Sequence, residues 1–207
     1  MSAALSGVVP LATVPDARAA DALADGLVAG GLPVLEVALR NDWGLDAIAR
    51  IAARGDVLVG AGTVLDPEQL RRALDAGAGF VVAPGLDEEV VEAALAAGVP
   101  VVPGVMTPSD VSRGIRLGLD RLKLFPAGAI GGLGMIGALA PVFPGVRFMP
   151  SGGVSAANLG EYLAHPAVFA ASGSWIASPA RIAAGADAVA EAAREAVAIH
   201  RASEASA

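Results

Sequence analysis

One pattern recurs along the whole chain. Eight short apolar runs, rich in β-branched residues, follow one another about every 20 to 26 residues, and an Ala/Leu-rich segment with helical periodicity follows each run. The runs are VVPLATV (8–14), VLEVALR (34–40), VLVGAGTV (57–64), FVVAPG (80–85), VPVVPG (99–104), RLKLFPA (121–127), VRFMPSGG (146–153) and VFAASGS (168–174). Strands that alternate with helices form parallel sheets, and runs apolar on both sides indicate strands covered on both faces. Eight units predict a (β/α)8 TIM barrel; an open doubly wound sheet, usually of about five or six strands, is the alternative.

No linker or low-complexity segment divides the 207 residues. We therefore predict a single domain over residues 1–207, with only the terminal segment 202–207 frayed. Helix starts are marked where the repeat requires them, because Asp66-Pro67 and Thr107-Pro108 each combine an N-capping residue with a proline at the first helical position.

The composition excludes several classes of site and partner. The net charge is −7 with no basic run, which argues against a nucleic-acid partner. Cysteine is absent, so disulfides, thiolate metal sites and a cysteine nucleophile are excluded, and the protein fits a reducing cytoplasm. His165 and His200 are the two histidines, which are too few for a three-histidine metal centre. The sequence therefore predicts no metal.

Hydrophobic residues make up 55% of the chain, so a membrane location has to be considered. The longest uncharged stretch, 124–146, is long enough to cross a bilayer. It contains Pro126, Pro141 and Pro144 together with several glycines, and such a segment predicts a loop followed by a short buried helix. No lysine or arginine precedes Arg18, so the charged region of a signal peptide is missing. We expect no membrane association and a cytoplasmic location.

Lys123 is the one lysine among 14 basic residues, and it lies inside the sixth apolar run. A lysine near the end of a strand usually extends to solvent. Elsewhere, however, this chain uses arginine as its cation. Arginine stays protonated and cannot form an imine, whereas a neutral lysine can. Lys123 is therefore a candidate Schiff-base nucleophile, and a structural lysine is the alternative.

The second run places Glu36, Ala38 and Arg40 on one face of a strand whose other face is apolar. A buried carboxylate is costly unless it is paired or used in chemistry. A structural ion pair between Glu36 and Arg40 is the alternative, but an extended strand separates them by ~13 Å, so each is expected to meet another group. Glu36 is a candidate proton shuttle and Arg40 a candidate anion anchor. Thr63, near the end of the third run, is either a hydroxyl at the barrel rim or a turn residue.

Two glycine-containing turns follow the last two strands of the repeat. The seventh run ends in Ser151-Gly152-Gly153 and the eighth in Ser172-Gly173-Ser174. Glycines before a helix let backbone N–H groups approach a phosphate closely, although such turns are also common without a ligand. In TIM barrels, phosphate sites frequently follow these two strands, and active sites lie at the C-terminal ends of the strands. The two turns therefore indicate a phosphate site.

These segments, in order and at this spacing, resemble the motifs of one family over essentially the whole chain. The segments are VVP, VLEVALR, GAGTVL, APG, VPGVMT, KLFPA, SGGVS and GSW. The family is that of the 2-keto-3-deoxy-6-phosphogluconate (KDPG) aldolases, the class I pyruvate aldolases of the Entner–Doudoroff pathway. The resemblance implies cleavage of KDPG to pyruvate and glyceraldehyde 3-phosphate by a homotrimer without a metal or another cofactor.

The resemblance also implies roles for individual residues. Lys123 would form a Schiff base with the 2-keto carbon, and Glu36 would act as general acid and base on the 4-hydroxyl, through a water. The remaining positions would bind the substrate: Arg40 and Thr63 its carboxylate, Pro84 and Phe125 its pocket walls, and Ser151, Gly152, Gly153, Gly173 and Ser174 its phosphate.

The sequence departs from the usual family pattern at several positions, which are Ala38, Leu124, Gly128, Ile130, Ser151 and Ser172. None of these changes removes the imine chemistry, but together they leave the substrate open between KDPG, its 4-epimeric galactonate analogue and unphosphorylated 4-hydroxy-2-oxoglutarate. Two different functions also fit part of the pattern. A sugar-phosphate isomerase or epimerase would share the phosphate turns and the glutamate without needing Lys123. A non-catalytic phosphate-binding barrel would tolerate Lys123→Arg.

Overall fold

The structure, a computed structural model, describes residues 5–205. The strands are β1 (Gly7–Ala12), β2 (Val34–Ala38), β3 (Leu58–Gly62), β4 (Val81–Val82), β5 (Val101–Val102), β6 (Gly104–Val105), β7 (Arg121–Leu124), β8 (Arg147–Pro150) and β9 (Ala170–Gly173). The helices are α1 (Ala17–Ala29), α2 (Gly44–Ala52), α3 (Pro67–Asp75), α4 (Glu88–Ala96), α5 (Pro108–Arg116), α6 (Leu133–Leu139), α7 (Ala156–Ala164), α8 (Pro179–Ala184) and α9 (Ala186–Glu204). A short 3-10 helix, Ala127–Ile130, precedes α6.

The strands form a curled parallel sheet. Six of them pair in the order β5-β4-β3-β2-β1-β9, and three more pair in the order β6-β7-β8. Isolated parallel bridges at Phe148–Val168 and Ser151–Ser172 connect β8 with β9. The predicted α/β alternation with a parallel sheet is confirmed, and each of the eight apolar runs contributes to this sheet.

The fifth run differs from the others, since it supplies two strands. Pro103 separates β5 from β6 and has no N–H to donate to a neighbouring strand. Its carbonyl still accepts a hydrogen bond from the Lys123 N–H at 2.9 Å. The chain therefore passes from one sheet to the other within a single residue, and the two sheets stay adjacent at this point.

Apolar side chains cover both faces of the sheet. The larger cluster lies between the strands and the surrounding helices. A smaller cluster lies on the concave inner face, and its members include Val9, Val34, Phe80, Val82, Val102 and Met149. Burial on both faces accounts for the continuous apolar runs in the sequence. The buried polar residues Glu36, Lys123 and Ser172 lie beside this cluster, since Met149 pairs with Lys123 and Val9 with Ser172.

The two helix starts marked in the sequence agree with the predictions. The Asp66 side chain accepts a hydrogen bond from the Gln69 N–H at 2.7 Å, and Thr107 forms a capping box with Asp110. The stretch 124–146 forms the 3-10 helix and the short α6 rather than one long helix. Within residues 5–205, no helix is long and apolar enough to cross a membrane.

The end of the chain departs from the prediction. The sequence predicts a frayed segment from residue 202, but α9 continues to Glu204. Ser203 is buried there, and its hydroxyl donates to the His200 carbonyl at 2.7 Å, which holds the last turn in place. Residues 206 and 207 lie outside the described part of the chain.

Candidate active site

A lysine and a glutamate face each other across the inner face of the sheet. Nζ of Lys123, on β7, lies 3.6 Å from Oε1 of Glu36, on β2. Lys123 is 3% exposed and Glu36 is 0% exposed. Withdrawing two charges from water costs several kcal/mol per ion, and their attraction does not reliably offset that cost. A pair buried this deeply in the C-terminal half of the sheet therefore indicates chemistry rather than stabilisation.

Two neighbours hold the Glu36 carboxylate. Ser172, on β9, donates its hydroxyl to Oε2 at 3.1 Å. On the other side lies Gly62 of β3, where an added Cβ would overlap Oε1 and approach Cγ and Cδ to 2.7 and 2.9 Å. Oε1 itself has no hydrogen-bond partner among residues 5–205. The carboxylate thus has one anchored oxygen and one oxygen directed at Lys123.

Lys123 is surrounded by backbone and by an aromatic ring. Its register partner is Gly104 of β6, and the Pro84 carbonyl is so close to Gly104 that a side chain there would overlap it. The Phe125 ring centroid lies 5.1 Å from Lys123 Nζ. Phe125 thus lies beside the lysine, and Pro84 lies against its register partner.

Arg40 and Thr63 lie at the C-terminal ends of β2 and β3. Arg40 Nε donates to Thr63 Oγ1 at 3.3 Å, while the guanidinium is exposed and forms no ion pair with any acid in the described range. Thr63 has φ = 62°, and it is the one residue other than glycine with positive φ among those described. A β-branched residue in this region is strained, and such strain concentrates at functional sites. The Arg40 guanidinium, which no acid of residues 5–205 neutralises, lies beside the Thr63 hydroxyl, and this arrangement is suited to binding a carboxylate.

The two glycine-containing turns lie side by side. The Ser151–Ser172 bridge joins them, and an added Cβ at Gly173 would lie 3.1 Å from the Val154 carbonyl oxygen. Gly152 and Gly153 have φ values of 84° and 89°, which side chains rarely tolerate. The Gly153 and Ser174 N–H groups have no acceptor within residues 5–205, so both are available to a ligand.

Comparison with known proteins identifies the family. The model of the KDPG and KHG aldolases matches residues 3–192. The chain belongs to this family. It is 46% identical to the 2-dehydro-3-deoxy-phosphogluconate aldolase of Pseudomonas aeruginosa over 80% of its length and 76% of that protein. The resemblance drawn from the motifs is confirmed, and with it the prediction of an aldolase, a lyase.

Two solved structures of KDPG aldolases show the same fold. That of Zymomonas mobilis, with 3-phosphoglycerate, has a TM-score of 0.87 at 40% identity and covers 94% of this chain and 92% of its own. That of Legionella pneumophila has a TM-score of 0.88 at 37% identity, covers 92% and 94%, and contains pyruvate captured at low pH as a covalent carbinolamine intermediate. That aldolase of the same fold thus forms a covalent carbinolamine with pyruvate.

The fold brings the predicted site residues together as a centre and two edges. Lys123 and Glu36 form the buried centre, with the half-buried Phe125 beside Lys123 and the half-buried Pro84 against Gly104. Arg40 with Thr63 forms one edge. The turn residues Ser151, Gly152, Gly153, Gly173 and Ser174 form the opposite edge, which reaches the centre because an added Cβ at Gly152 would lie 3.4 Å from Phe125. Among residues 5–205, no group of three His, Cys, Asp or Glu side chains could hold a metal ion.

Sequence reasoning misses two contributions to the site. In the sequence, Ser172 is only a departure near the phosphate turns and Gly62 only part of a strand, yet both contact Glu36. The alternation of faces along a strand places both residues on the inner face with Glu36. That signal is present in the sequence, but it does not say which residues meet across the sheet.

Proposed function

We propose that the protein is a class I aldolase that cleaves KDPG to pyruvate and glyceraldehyde 3-phosphate through an imine on Lys123. The buried Lys123–Glu36 pair carries this proposal, since it puts a potential nucleophile 3.6 Å from a potential base. Transfer of a proton from Nζ to Oε1 leaves a neutral amine without bringing water into the pocket.

The amine then adds to the 2-keto carbon of the substrate. Glu36 returns its proton to the departing hydroxyl, so the carbinolamine loses water and becomes a protonated imine, whose positive charge makes it an electron sink. Glu36 takes the proton from the 4-hydroxyl, the bond between carbons 3 and 4 breaks, and its electron pair enters the imine to form an enamine. The oxygen on carbon 4 becomes the aldehyde of glyceraldehyde 3-phosphate. Protonation of carbon 3 and hydrolysis of the imine release pyruvate and restore Lys123.

The pocket residues orient this reaction. Arg40 and Thr63 bind the substrate carboxylate, which fixes the 2-keto carbon near Lys123. Pro84 and Phe125 flank the reacting centre and limit access of water. The pocket has low polarity, which strengthens the attraction between the positively charged imine and the electron pair released as the bond between carbons 3 and 4 breaks.

The opposite edge binds the phosphate. The free N–H groups of Gly153 and Ser174 and the positive φ values of Gly152 and Gly153 give a backbone surface suited to an anion. This edge favours KDPG over unphosphorylated 4-hydroxy-2-oxoglutarate, which is the second candidate substrate because the family includes aldolases for both. The galactonate epimer differs only at carbon 4 and would use the same two edges. Comparing kcat/KM for the three substrates decides between them.

The architecture and assembly belong to the same proposal. We count β5 and β6 as one strand interrupted at Pro103, so that the bridges between β8 and β9 close a (β/α)8 barrel. The protein acts without a metal, as a homotrimer of 20.4 kDa chains, in the cytoplasm, where phosphorylated sugar acids are metabolised. Light scattering tests the trimer, and activity after exhaustive chelation tests metal independence.

The experiment that tests the mechanism is reductive trapping. The protein is incubated with pyruvate and borohydride, and its intact mass is measured beside that of Lys123→Arg. One reduced pyruvate adduct, absent from the variant, is expected. The result is easy to assign because Lys123 is the one lysine of the sequence, so only the N-terminal amine competes. A folded protein that forms no adduct would refute the imine mechanism.

A further inference from the structure

The two oxygens of the Glu36 carboxylate have different surroundings. Oε2 accepts the Ser172 hydroxyl at 3.1 Å, and both residues are 0% exposed. Oε1 lies 3.6 Å from Lys123 Nζ and has no hydrogen bond within residues 5–205. A carboxylate that only needed stabilising would have donors on both oxygens. Here one oxygen is anchored and the other is free to exchange a proton.

Ser172 reaches Glu36 from a strand that does not pair with β2. In the sheet order β2-β1-β9, the strand β1 lies between them, and Ser172 pairs in register with Val9 of β1. The hydroxyl therefore contacts Oε2 across the concave inner face. Ser172 also immediately precedes the turn that contains Gly173 and Ser174, so the anchor of Glu36 is continuous with the proposed phosphate edge.

The anchor limits rotation of the carboxylate. The terminal torsion of glutamate is broad, so the group turns easily unless its neighbours restrict it. Gly62 leaves room for the carboxylate against β3, and Ser172 holds its far oxygen from β9. Without the hydroxyl, Oε2 would be a buried acceptor lacking a partner, and the carboxylate would turn towards another donor.

We propose that Ser172 is a positioning residue that holds Oε2 of Glu36, so that Oε1 alone moves protons between Lys123, the substrate and the enamine. This inference rests on the proposed role of Glu36. In the step concerned, the proton on Oε1 passes to carbon 3 of the pyruvate enamine. The enamine electron pair forms the new C–H bond, and the nitrogen returns to a protonated imine.

The step can be measured with pyruvate alone. In D2O, repeated protonation and deprotonation exchange the methyl hydrogens of pyruvate, which NMR follows without the aldehyde or the phosphate. Borohydride trapping reports imine formation on the same sample. Because misplacement of a catalytic group by about 1 Å can cost ~100-fold in rate, Ser172→Ala is expected to slow methyl exchange and kcat by about 10- to 100-fold. The trapped adduct and KM should stay within about twofold of the parent protein.

A matched substitution controls for the loss of a buried serine hydroxyl. Ser203 on α9 is also buried and donates to the His200 carbonyl at 2.7 Å, but it lies outside the site. Ser203→Ala should leave methyl exchange unchanged. Ser172→Cys keeps a weak donor of similar size and should fall between the parent protein and Ser172→Ala, so it carries the test if the alanine variant does not fold.

The outcomes separate this inference from the proposed function. Methyl exchange within twofold of the parent protein in Ser172→Ala overturns the positioning role. So does a parallel loss of adduct, exchange and thermal stability, which would show a purely structural role. Glu36→Gln tests the underlying function separately: normal exchange in that variant overturns the role of Glu36 whatever Ser172 does.

Discussion

Two neighbouring regions of the inner face, one around Phe80 and one around Glu36, each fill the space left by a glycine with a side chain of another strand or loop. Gly60 and Gly62 lie two residues apart on the same side of β3, and in each case a neighbouring side chain occupies the space of the missing Cβ. At Gly60 the occupant is the Phe80 ring, whose carbons would lie 2.5 Å from an added Cβ. At Gly62 the occupant is the Glu36 carboxylate.

The comparison shows that two positions of one strand make room for side chains with different roles. Around Phe80 the inner face is apolar, and burial there stabilises the fold by about 25 cal/mol for each Å² of apolar surface withdrawn from water. Around Glu36 the same space holds an ion pair whose desolvation opposes folding. Substitutions in the two regions should therefore separate activity from stability.

The largest effect is expected at Lys123. Lys123→Arg keeps a positive charge opposite Glu36 but cannot form an imine, so aldol cleavage should fall at least about 10⁴-fold, to the limit of detection. A coupled assay of pyruvate release measures this loss. A melting temperature within a few degrees of the parent protein shows that the fold is intact. Measurable turnover with KDPG in the folded variant would contradict the imine mechanism.

The next largest effect is expected at Gly62. An added methyl group in Gly62→Ala must displace the Glu36 carboxylate, and kcat should fall about 100-fold. Overpacking adds a stability cost of about 1–3 kcal/mol. Kinetics and urea unfolding measure the two effects. Gly137→Ala in α6, where an added Cβ meets nothing within 4 Å, is the matched control; it should leave kcat unchanged and raise stability by up to about 1 kcal/mol, because alanine favours the helix.

Gly60→Ala is expected to affect stability more than activity. The added methyl group meets the Phe80 ring, so the free energy of unfolding should fall by about 1–3 kcal/mol, while kcat stays within about threefold of the parent protein. Phe80→Leu in the same chain should recover part of the lost stability. Both substitutions change the same space, so their effects on the free energy of unfolding are not additive. If Gly60→Ala reduced kcat as strongly as Gly62→Ala, the division of the inner face would be wrong.

The sequence predicted the positions of the strands better than it predicted which residues meet across the sheet. Periodicity located every run that enters the sheet, because alternation and burial act within each segment. It also indicated Lys123 and Glu36, whose charged side chains are unusual at buried strand positions, and Arg40 and Thr63, which lie just after the ends of strands. It did not indicate the contacts of Ser172 or Gly62 with Glu36. Those contacts depend on the register and curvature of the sheet, which join residues 136 positions apart in the case of Ser172.

The smallest effects are expected at Thr63, where one substitution should change stability and substrate binding in opposite directions. Thr63→Gly removes a β-branched residue from φ = 62°, where an L-residue costs roughly 1–2 kcal/mol, and the loss is partly offset by the greater freedom of glycine when unfolded. Unfolding free energy should rise by up to about 1 kcal/mol. KM should rise about three- to tenfold, because Arg40 loses its hydroxyl partner.

Thr63→Ser separates the two contributions of this residue. It keeps the hydroxyl beside Arg40 and removes only the branched methyl group, so it should leave KM unchanged and recover only a small part of the strain. Stability gained in Thr63→Gly together with weaker substrate binding would show that the strain at this position is retained for function. An unchanged KM in Thr63→Gly would instead remove Thr63 from the carboxylate edge and leave Arg40 as its anchor, which Arg40→Gln would then test by the same measurement.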